Sequence, residues 1–264
     1  MLIILVILGC NPNRMIPGAI KHITGKAEIM ARLQREILPL QGLRTAVNGT
    51  PVDTGLGAIN ASFPNGSLPL GAVHEFISSC PEDHASSVGF IAAIAGPLIR
   101  KGGTGLWISA DRTLFPPALK SFGIEPDQLI FIDIRKPRDL AWALDEALKC
   151  GALSAVIGEL PDLGFTASRR LQLSVEQSQV TAFILRRNPR NLSSTACVTR
   201  WKITTLASET TDNLPGVGYP HWKVELLKVR NGKPGSWQVK WINGQLEIQV
   251  PETASTQEQQ LKSA

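Results

Sequence analysis

Residues 68–99 read LPLGAVHEFISSCPEDHASSVGFIAAIAGPLI and decide the fold class. The apolar run 72–77 predicts a buried strand, the polar residues after it predict a loop, and the apolar run from about Ser86 predicts a helix. A strand, a loop and a helix in this order hold a phosphate in many α/β proteins, because the loop amides and the helix N-terminus point at the anion.

The charge that such a phosphate site needs is missing. A nucleotide-binding loop ends in Gly-Lys-Ser/Thr, and its lysine reaches the β- and γ-phosphates. The corresponding positions here are Ala85, Ser86 and Ser87, and residues 79–88 contain no lysine. The pattern therefore predicts a structural unit that has lost ATP hydrolysis, and we expect no cofactor.

The rest of the chain alternates apolar strands with helices, which predicts a mostly parallel central sheet flanked by helices. From about residue 196 onward, short strands separated by Gly/Pro turns predict antiparallel pairing. We expect residues 1–26 to be unstructured or to follow a start codon placed too early. Residues 27–45 are expected to form an amphipathic helix and linker, residues 46–250 the core, and residues 251–264 a disordered tail.

Positive charge is concentrated in one segment. Residues 186–240 hold ten basic side chains and three acidic ones, and Arg186, Arg187 and Arg190 fall within five residues. Such a cluster suits phosphate contacts to DNA, and a solvated basic loop or a contact with an acidic partner surface is an equally good interpretation. The helix at 27–45 presents Ile29, Leu33 and Ile37 as an apolar stripe that can dock on its own core or on a partner.

Cysteine usage and hydropathy bear on location. The four cysteines lie far apart without pairwise spacing, which indicates reduced thiols and predicts a cytoplasmic protein. The apolar run 2–8 is too short to span a bilayer, so no membrane partner is expected. His and Cys residues show no metal-ligand spacing, and no metal site is predicted.

Several strings in order resemble a known family. The order of elements, together with WISAD at 107–111, is similar to the RecA-type recombinase core. Residues 71–76 (GAVHEF), 112–119 (RTLFPPAL), 165–173 (FTASRRLQL) and 229–237 (VRNGKPGSW) more closely resemble the ImuA family. The resemblance spans residues 27–248 and implies a RecA-like core.

The RecA likeness also assigns possible roles to single residues. It places Cys80 at the first glycine of the phosphate loop and Asp111 at the catalytic glutamate, and it makes Lys228 and Arg230 the closest matches to two lysines that reach a neighbour's nucleotide. Asp111 and Glu159 at strand ends could be a base and a magnesium ligand, but without the lysine we favour helix capping or solvated loop positions.

The ImuA resemblance implies a non-enzymatic accessory factor in error-prone translesion synthesis during the DNA-damage (SOS) response. Its implied partners are ImuB, a polymerase-like protein, and an error-prone polymerase. Three alternatives stay open at this point: a single-stranded-DNA-binding modulator of the recombinase, an ATPase with an unorthodox phosphate loop, and, from a SulA-like label alone, a cell-division inhibitor.

Overall fold

In the computed structural model, the described residues are 46–47, 50–189, 192–208 and 217–249. They form a small antiparallel hairpin of β1 (Ala46–Val47) and β2 (Thr50–Pro51), and one large sheet. The large sheet contains β3 (Val73–Ser78), β4 (Thr104–Ser109), β5 (Leu129–Asp133), β6 (Leu153–Leu160), β7 (Thr181–Arg187), β8 (Thr199–Thr205), β9 (His221–Val229), β10 (Gly235–Ile242) and β11 (Gln245–Gln249).

Three α-helices accompany the sheet in the described part of the chain: α1 (Pro81–Gly102), α2 (Pro137–Ala147) and α3 (Phe165–Ser178). Short 3-10 helices cover Gly57–Ser62, Pro116–Phe122 and Pro126–Gln128. None of the helices in these described ranges combines the length and the apolar character needed to cross a membrane. The predicted N-terminal helix and C-terminal tail lie outside the described residues.

The strand order in the large sheet is β11-β10-β9-β8-β3-β7-β6-β4-β5. The strands from β8 to β5 run parallel, whereas β9, β10 and β11 pair antiparallel at the other side. Parallel strands joined by helices place those helices on the faces of the sheet. The predicted fold class, a mostly parallel α/β sheet with C-terminal antiparallel strands, is confirmed.

The core has two layers, one on each face of the sheet. Helix α1 covers one face, where Phe76 stacks on Trp201 with ring centroids 6.0 Å apart and Phe90 packs on the same indole at 5.8 Å. Helices α2 and α3 cover the other face through residues such as Leu144 and Leu171. All six residues of β3 are buried, because this central strand is covered on both faces.

A buried polar chain crosses the centre of the sheet. The Trp201 indole N–H donates to the Thr199 hydroxyl at 2.7 Å, and that hydroxyl lies 2.8 Å from His74 Nδ1. His74 Nε2 lies 2.9 Å from the Pro69 carbonyl oxygen, so a neutral imidazole protonated on Nε2 satisfies every partner. Burial lowers the pKa of His74 to about 4, although the bond to Pro69 opposes the shift.

Candidate functional site

Helix α1 begins directly after β3. Two residues, Ser79 and Cys80, separate the strand from Pro81, the first residue of the helix. Proline is favoured at the first helical position, and Glu82 and Asp83 in the first turn interact favourably with the helix dipole. The prediction of a polar loop with a helix start near Ser86 was therefore wrong. Residues 81–87 lie in the first two turns of α1.

The two serines that replace the lysine and hydroxyl residue of a phosphate loop contact the protein itself. Ser86 is 7% exposed, and its Oγ lies 2.6 Å from Thr205 Oγ1 on β8. Ser87 is fully buried and donates to the Asp83 carbonyl at 2.7 Å, one turn back in α1. An Asp83 carboxylate oxygen accepts from the Thr205 N–H at 3.2 Å. Ser86 and Asp83 therefore join α1 to the end of β8, Ser87 bonds within α1, and neither serine is presented to a ligand.

Arg187 lies among the acidic residues at the carboxyl edge of the sheet. Its Nη2 donates to Glu159 Oε2 at 2.6 Å and to the Thr113 hydroxyl at 2.8 Å, and its Nη1 lies 3.7 Å from Asp111 Oδ2. The Glu159 side chain is 5% exposed, and its other oxygen accepts from the Trp107 indole N–H at 3.0 Å. The structure thus brings Asp111 and Glu159 together around the Arg187 guanidinium.

Two cavities adjoin this guanidinium. The larger, about 550 Å³, has apolar walls that include Ala85, Leu114 and Phe115. The smaller, about 230 Å³, lies beside Asp111 and Glu159, and Arg187 lines both. Arg187 is the one Lys or Arg among the described residues that line the larger cavity, and its charge is balanced by carboxylates. A polyphosphate in the larger cavity would therefore find no uncompensated positive charge.

His84 in the first turns of α1 completes the site. Its Nε2 lies 3.6 Å from Glu159 Oε2, and neither ring nitrogen has a hydrogen-bond partner among the described residues. Burial, and secondarily the positive charge of Arg187, lower the pKa of His84 to about 4. The imidazole is therefore neutral at pH 7. The described residues contain no group of three or more His, Cys, Asp or Glu placed to hold a metal ion.

Acid is expected to destabilise the protein before its carboxylates titrate fully. His74 and His84 bind protons more weakly in the folded chain than at their ordinary pKa of 6.5, so the unfolded chain takes up more protons between pH 6.5 and 4. The contribution of these neutral imidazoles to the free energy of unfolding is complete above pH 6.5 and is lost as the pH falls from 6.5 to 4. For the fully buried His74 the loss is roughly 3 kcal/mol. Urea unfolding from pH 7 to 4 measures the loss. A His84→Gln variant with the same pH slope as the parent protein would contradict the assignment for His84.

The cluster of arginines predicted as a surface loop is mostly part of the sheet. Strand β7 extends to Arg187, and Arg186 is fully buried. The two nitrogens Nη1 and Nη2 of Arg186 each lie 2.7 Å from a carboxylate, Glu75 Oε1 and Asp162 Oδ1 respectively. Arg186 is therefore corrected from a polyanion contact to a buried structural residue. Arg190 lies outside the described residues.

Lys228 and Arg230 donate hydrogen bonds to the segment that precedes β8. Lys228 Nζ donates to the Thr195 carbonyl at 2.6 Å, and Arg230 Nη2 donates to the Ala196 carbonyl at 2.8 Å. The RecA likeness suggested that Lys228 and Arg230 reach a neighbour's nucleotide, whereas here both contact their own chain. The stripe Ile29, Leu33 and Ile37 lies outside the described residues.

Trp107, Thr113 and His84 belong to the site, but sequence reasoning did not find them. One signal was available. Glu159 lies in an otherwise apolar run that forms β6, and a carboxylate in a buried strand needs a partner. Trp107 on β4 pairs with Ile157, two residues before Glu159, so the donor is a near neighbour across the strands.

No protein-family model matches the chain. Two curated relatives are each 34% identical to it over 201 residues, which cover 71% of this chain and 82% of the relative. Both are named Protein ImuA and come from two strains of Caulobacter vibrioides, NA1000 / CB15N and CB 15. The chain belongs to the ImuA family.

This assignment confirms the family resemblance found in the sequence. In open α/β sheets, ligands bind in the crevice at the carboxyl ends of the parallel strands, so this edge is where a ligand is expected in this ImuA family member. The same edge here contains a short strand–helix junction and the Arg187–Glu159 ion pair. In this ImuA family member, the arginine at that edge is therefore paired with a carboxylate of its own chain.

Proposed function

We propose that the protein is a non-catalytic accessory factor in error-prone DNA synthesis after DNA damage, assembling with a polymerase-like ImuB-type partner and an error-prone polymerase. Membership of the ImuA family supports a role in the ImuA–ImuB mutagenesis system. The proposal that the protein is non-catalytic rests on one ion pair. The Arg187 guanidinium lies 2.6 Å from Glu159, at the edge of the sheet where a nucleotide-hydrolysing enzyme needs an unpaired positive charge.

The proposed mechanism is assembly on a rigid sheet. Ser86 and Asp83 join α1 to β8, and Arg187 closes the carboxyl edge, so the core is a fixed support. We propose that the apolar stripe Ile29, Leu33 and Ile37 precedes this support and docks on the partner. An amphipathic helix docks through apolar side chains at this spacing.

Direct DNA binding through the arginine cluster has less support. Arg186 is buried, Arg187 is ion-paired with Glu159, and Lys228 donates to its own chain. DNA binding needs basic side chains that reach the phosphates and release the counterions condensed on the DNA. Arg186 is buried away from solvent, and the charge of Arg187 is already paired with Glu159. We therefore place the function in protein contacts and propose no DNA contact for these three residues.

A pull-down with the purified ImuB-type partner tests the proposal. The full chain is expected to capture the partner equally with and without ATP and Mg²⁺, since the one cation among the described residues that line the larger cavity, Arg187, is paired with Glu159. Leu33→Glu is expected to reduce capture at least about tenfold, because it places a charge in the apolar stripe. The matched control is Gln34→Glu, which adds the same charge outside the stripe.

Two results would contradict the proposal in different ways. Capture that requires ATP would show that the site still binds nucleotide. Unchanged capture by the Leu33→Glu variant would show that the contact does not use residues 27–45.

A further inference from the structure

Strand β5 forms one edge of the large sheet. Among the described residues it pairs with β4 alone, because it stands last in the strand order. Its sequence is LIFID, without the lysine, proline or glycine that often blunts an exposed edge. The opposite edge strand, β11, reads QLEIQ and exposes glutamine and glutamate. An apolar edge such as β5 is a template on which another strand can pair.

β5 exposes apolar side chains on both faces of the sheet. Leu129 packs in the core layer next to α1, and Ile132 packs in the layer next to α2 and α3. Side chains alternate along a strand, so Phe131 lies on the α1 face and Ile130 lies on the other face. Phe131 is 36% exposed and Ile130 is 51% exposed. A strand added beside β5 would cover both side chains.

The peptide groups that β5 directs away from the sheet can be identified. The Ile134 N–H donates to the Ser109 carbonyl at the end of β4, at 2.8 Å, so the peptide groups of Ile134 face β4. The direction of the peptide groups alternates from one residue to the next. Three residues of β5 therefore direct their N–H and C=O groups outward: Leu129, Phe131 and Asp133.

These three residues make the edge self-complementary. A second β5, antiparallel and centred on Phe131, places Phe131 opposite Phe131 of the second copy and Leu129 opposite its Asp133. All three outward residues then form hydrogen-bonded pairs, in which each residue exchanges both peptide hydrogen bonds. The twofold axis is perpendicular to the sheet, so Phe131 meets Phe131 on the α1 face and Ile130 meets Ile132 on the other.

The charges around β5 agree with this arrangement. Asp127 precedes the strand and Arg135 follows it, and antiparallel pairing brings Asp127 of each copy to the end that carries Arg135 of the other. Both side chains are exposed, and neither has an ion pair among the described residues. Asp133, the one charged residue within β5, is paired with Arg112 of its own chain and so leaves no free charge against the pairing.

We infer that two copies of the chain pair through their β5 edges into a symmetric dimer with one continuous sheet. The second copy is the occupant because the same five residues and the same flanking charges supply both sides of the contact. A five-residue edge buries little area, so the dimer dissociates on dilution. The inference goes beyond the proposed function, and its test uses neither residues 27–45 nor the ImuB-type partner, so the two can fail separately.

Sedimentation velocity of the full chain over a range of concentrations tests the dimer. The parent protein is expected to shift from monomer to dimer as its concentration rises. Phe131→Lys is expected to weaken association at least about tenfold, because symmetry places the two ammonium groups opposite each other. Phe165→Lys, the same change at a phenylalanine that is 57% exposed at the start of α3, is the matched control and leaves association unchanged. Circular dichroism confirms that the variants fold.

Charge reversal tests the antiparallel orientation. Asp127→Arg and Arg135→Asp each bring like charges together at both ends of the interface, and each is expected to weaken association about threefold or more. The two changes in one chain restore opposite charges, so the affinity should return to within about twofold of the parent value. Independent structural damage by the two substitutions would add instead.

A cysteine at the centre of the interface tests the register. Opposite residues of a hydrogen-bonded antiparallel pair have Cα atoms about 5.5 Å apart, within the range that a disulfide spans. Phe131→Cys is therefore expected to give a covalent dimer on mild oxidation, beyond any that the native cysteines of the parent form. Phe165→Cys is the matched control and gives no more covalent dimer than the parent.

Three results would overturn the inference. A monomer at every concentration up to the millimolar range rejects the dimer. Association that Phe131→Lys leaves unchanged places the contact on another surface of the chain. A combined Asp127→Arg and Arg135→Asp variant that associates no better than either single variant shows that the two ends of β5 do not meet in antiparallel orientation.

Discussion

Replacing Glu75 with alanine is expected to lower the free energy of unfolding by about 3–5 kcal/mol. The Glu75 carboxylate is fully buried on β3 and accepts from Arg186 Nη1 at 2.7 Å, Arg200 Nε at 2.9 Å and the Thr195 hydroxyl at 2.7 Å. Its removal leaves a fully buried guanidinium and a largely buried one without this carboxylate. Urea denaturation of parent and variant measures the difference.

A matched surface change shows whether burial is the cause. Glu146 is 49% exposed and lies 2.7 Å from Lys149, and Glu146→Ala is expected to cost under about 1 kcal/mol. Glu75→Gln keeps an acceptor oxygen but removes the charge, so its cost should fall between the two. A loss below about 1 kcal/mol for Glu75→Ala would mean that water or Asp162 compensates the arginines.

Replacing Arg187 with alanine is expected to cost about 2–3 kcal/mol, less than Glu75→Ala because the Arg187 side chain is 36% exposed. The loss arises from Glu159, which is almost buried and, among the partners described above, retains the Trp107 indole N–H as its hydrogen-bond donor and the neutral His84 ring 3.6 Å away. The same substitution removes the residue shared by the two cavities. Chemical denaturation gives the stability, and affinity for ATP with Mg²⁺ is expected to stay undetectable.

A double-mutant cycle with Glu159→Gln separates the ion pair from the loss of packing. Glutamine keeps an oxygen for the Trp107 indole and removes the negative charge, so Arg187→Ala should cost about 1–2 kcal/mol less in that background. A coupling free energy below about 0.5 kcal/mol would show that Arg187 contributes through packing alone.

The fold class was predictable because it depends on local patterns. The apolar run of β3, the alternation of strands and helices, and the later Gly/Pro turns are properties of neighbouring residues, and each was found close to its expected position. The start of α1 was missed because proline after Cys80 was interpreted as part of a loop. Proline at the first helical position with two acidic residues behind it indicates a helix start equally well.

The arginine cluster shows why the site was only partly predictable. Counting charges along the sequence identified Arg186 and Arg187 as a basic segment. Their partners Glu75 and Glu159 lie 111 and 28 residues away, and no local pattern reveals them. The sheet order places β7 between β3 and β6, which makes both ion pairs possible.

The sequence by itself determined that this is an α/β protein of the ImuA family whose phosphate-loop lysine is missing. Hydrophobic periodicity and residue identity are local quantities, so the chain displays them without folding. Only the tertiary structure decided which charged residues are buried and which are paired. Arg186 is buried against Glu75, and Arg187 forms an ion pair with Glu159 at the site. Burial and pairing depend on which distant strands become neighbours, and long-range packing alone settles that.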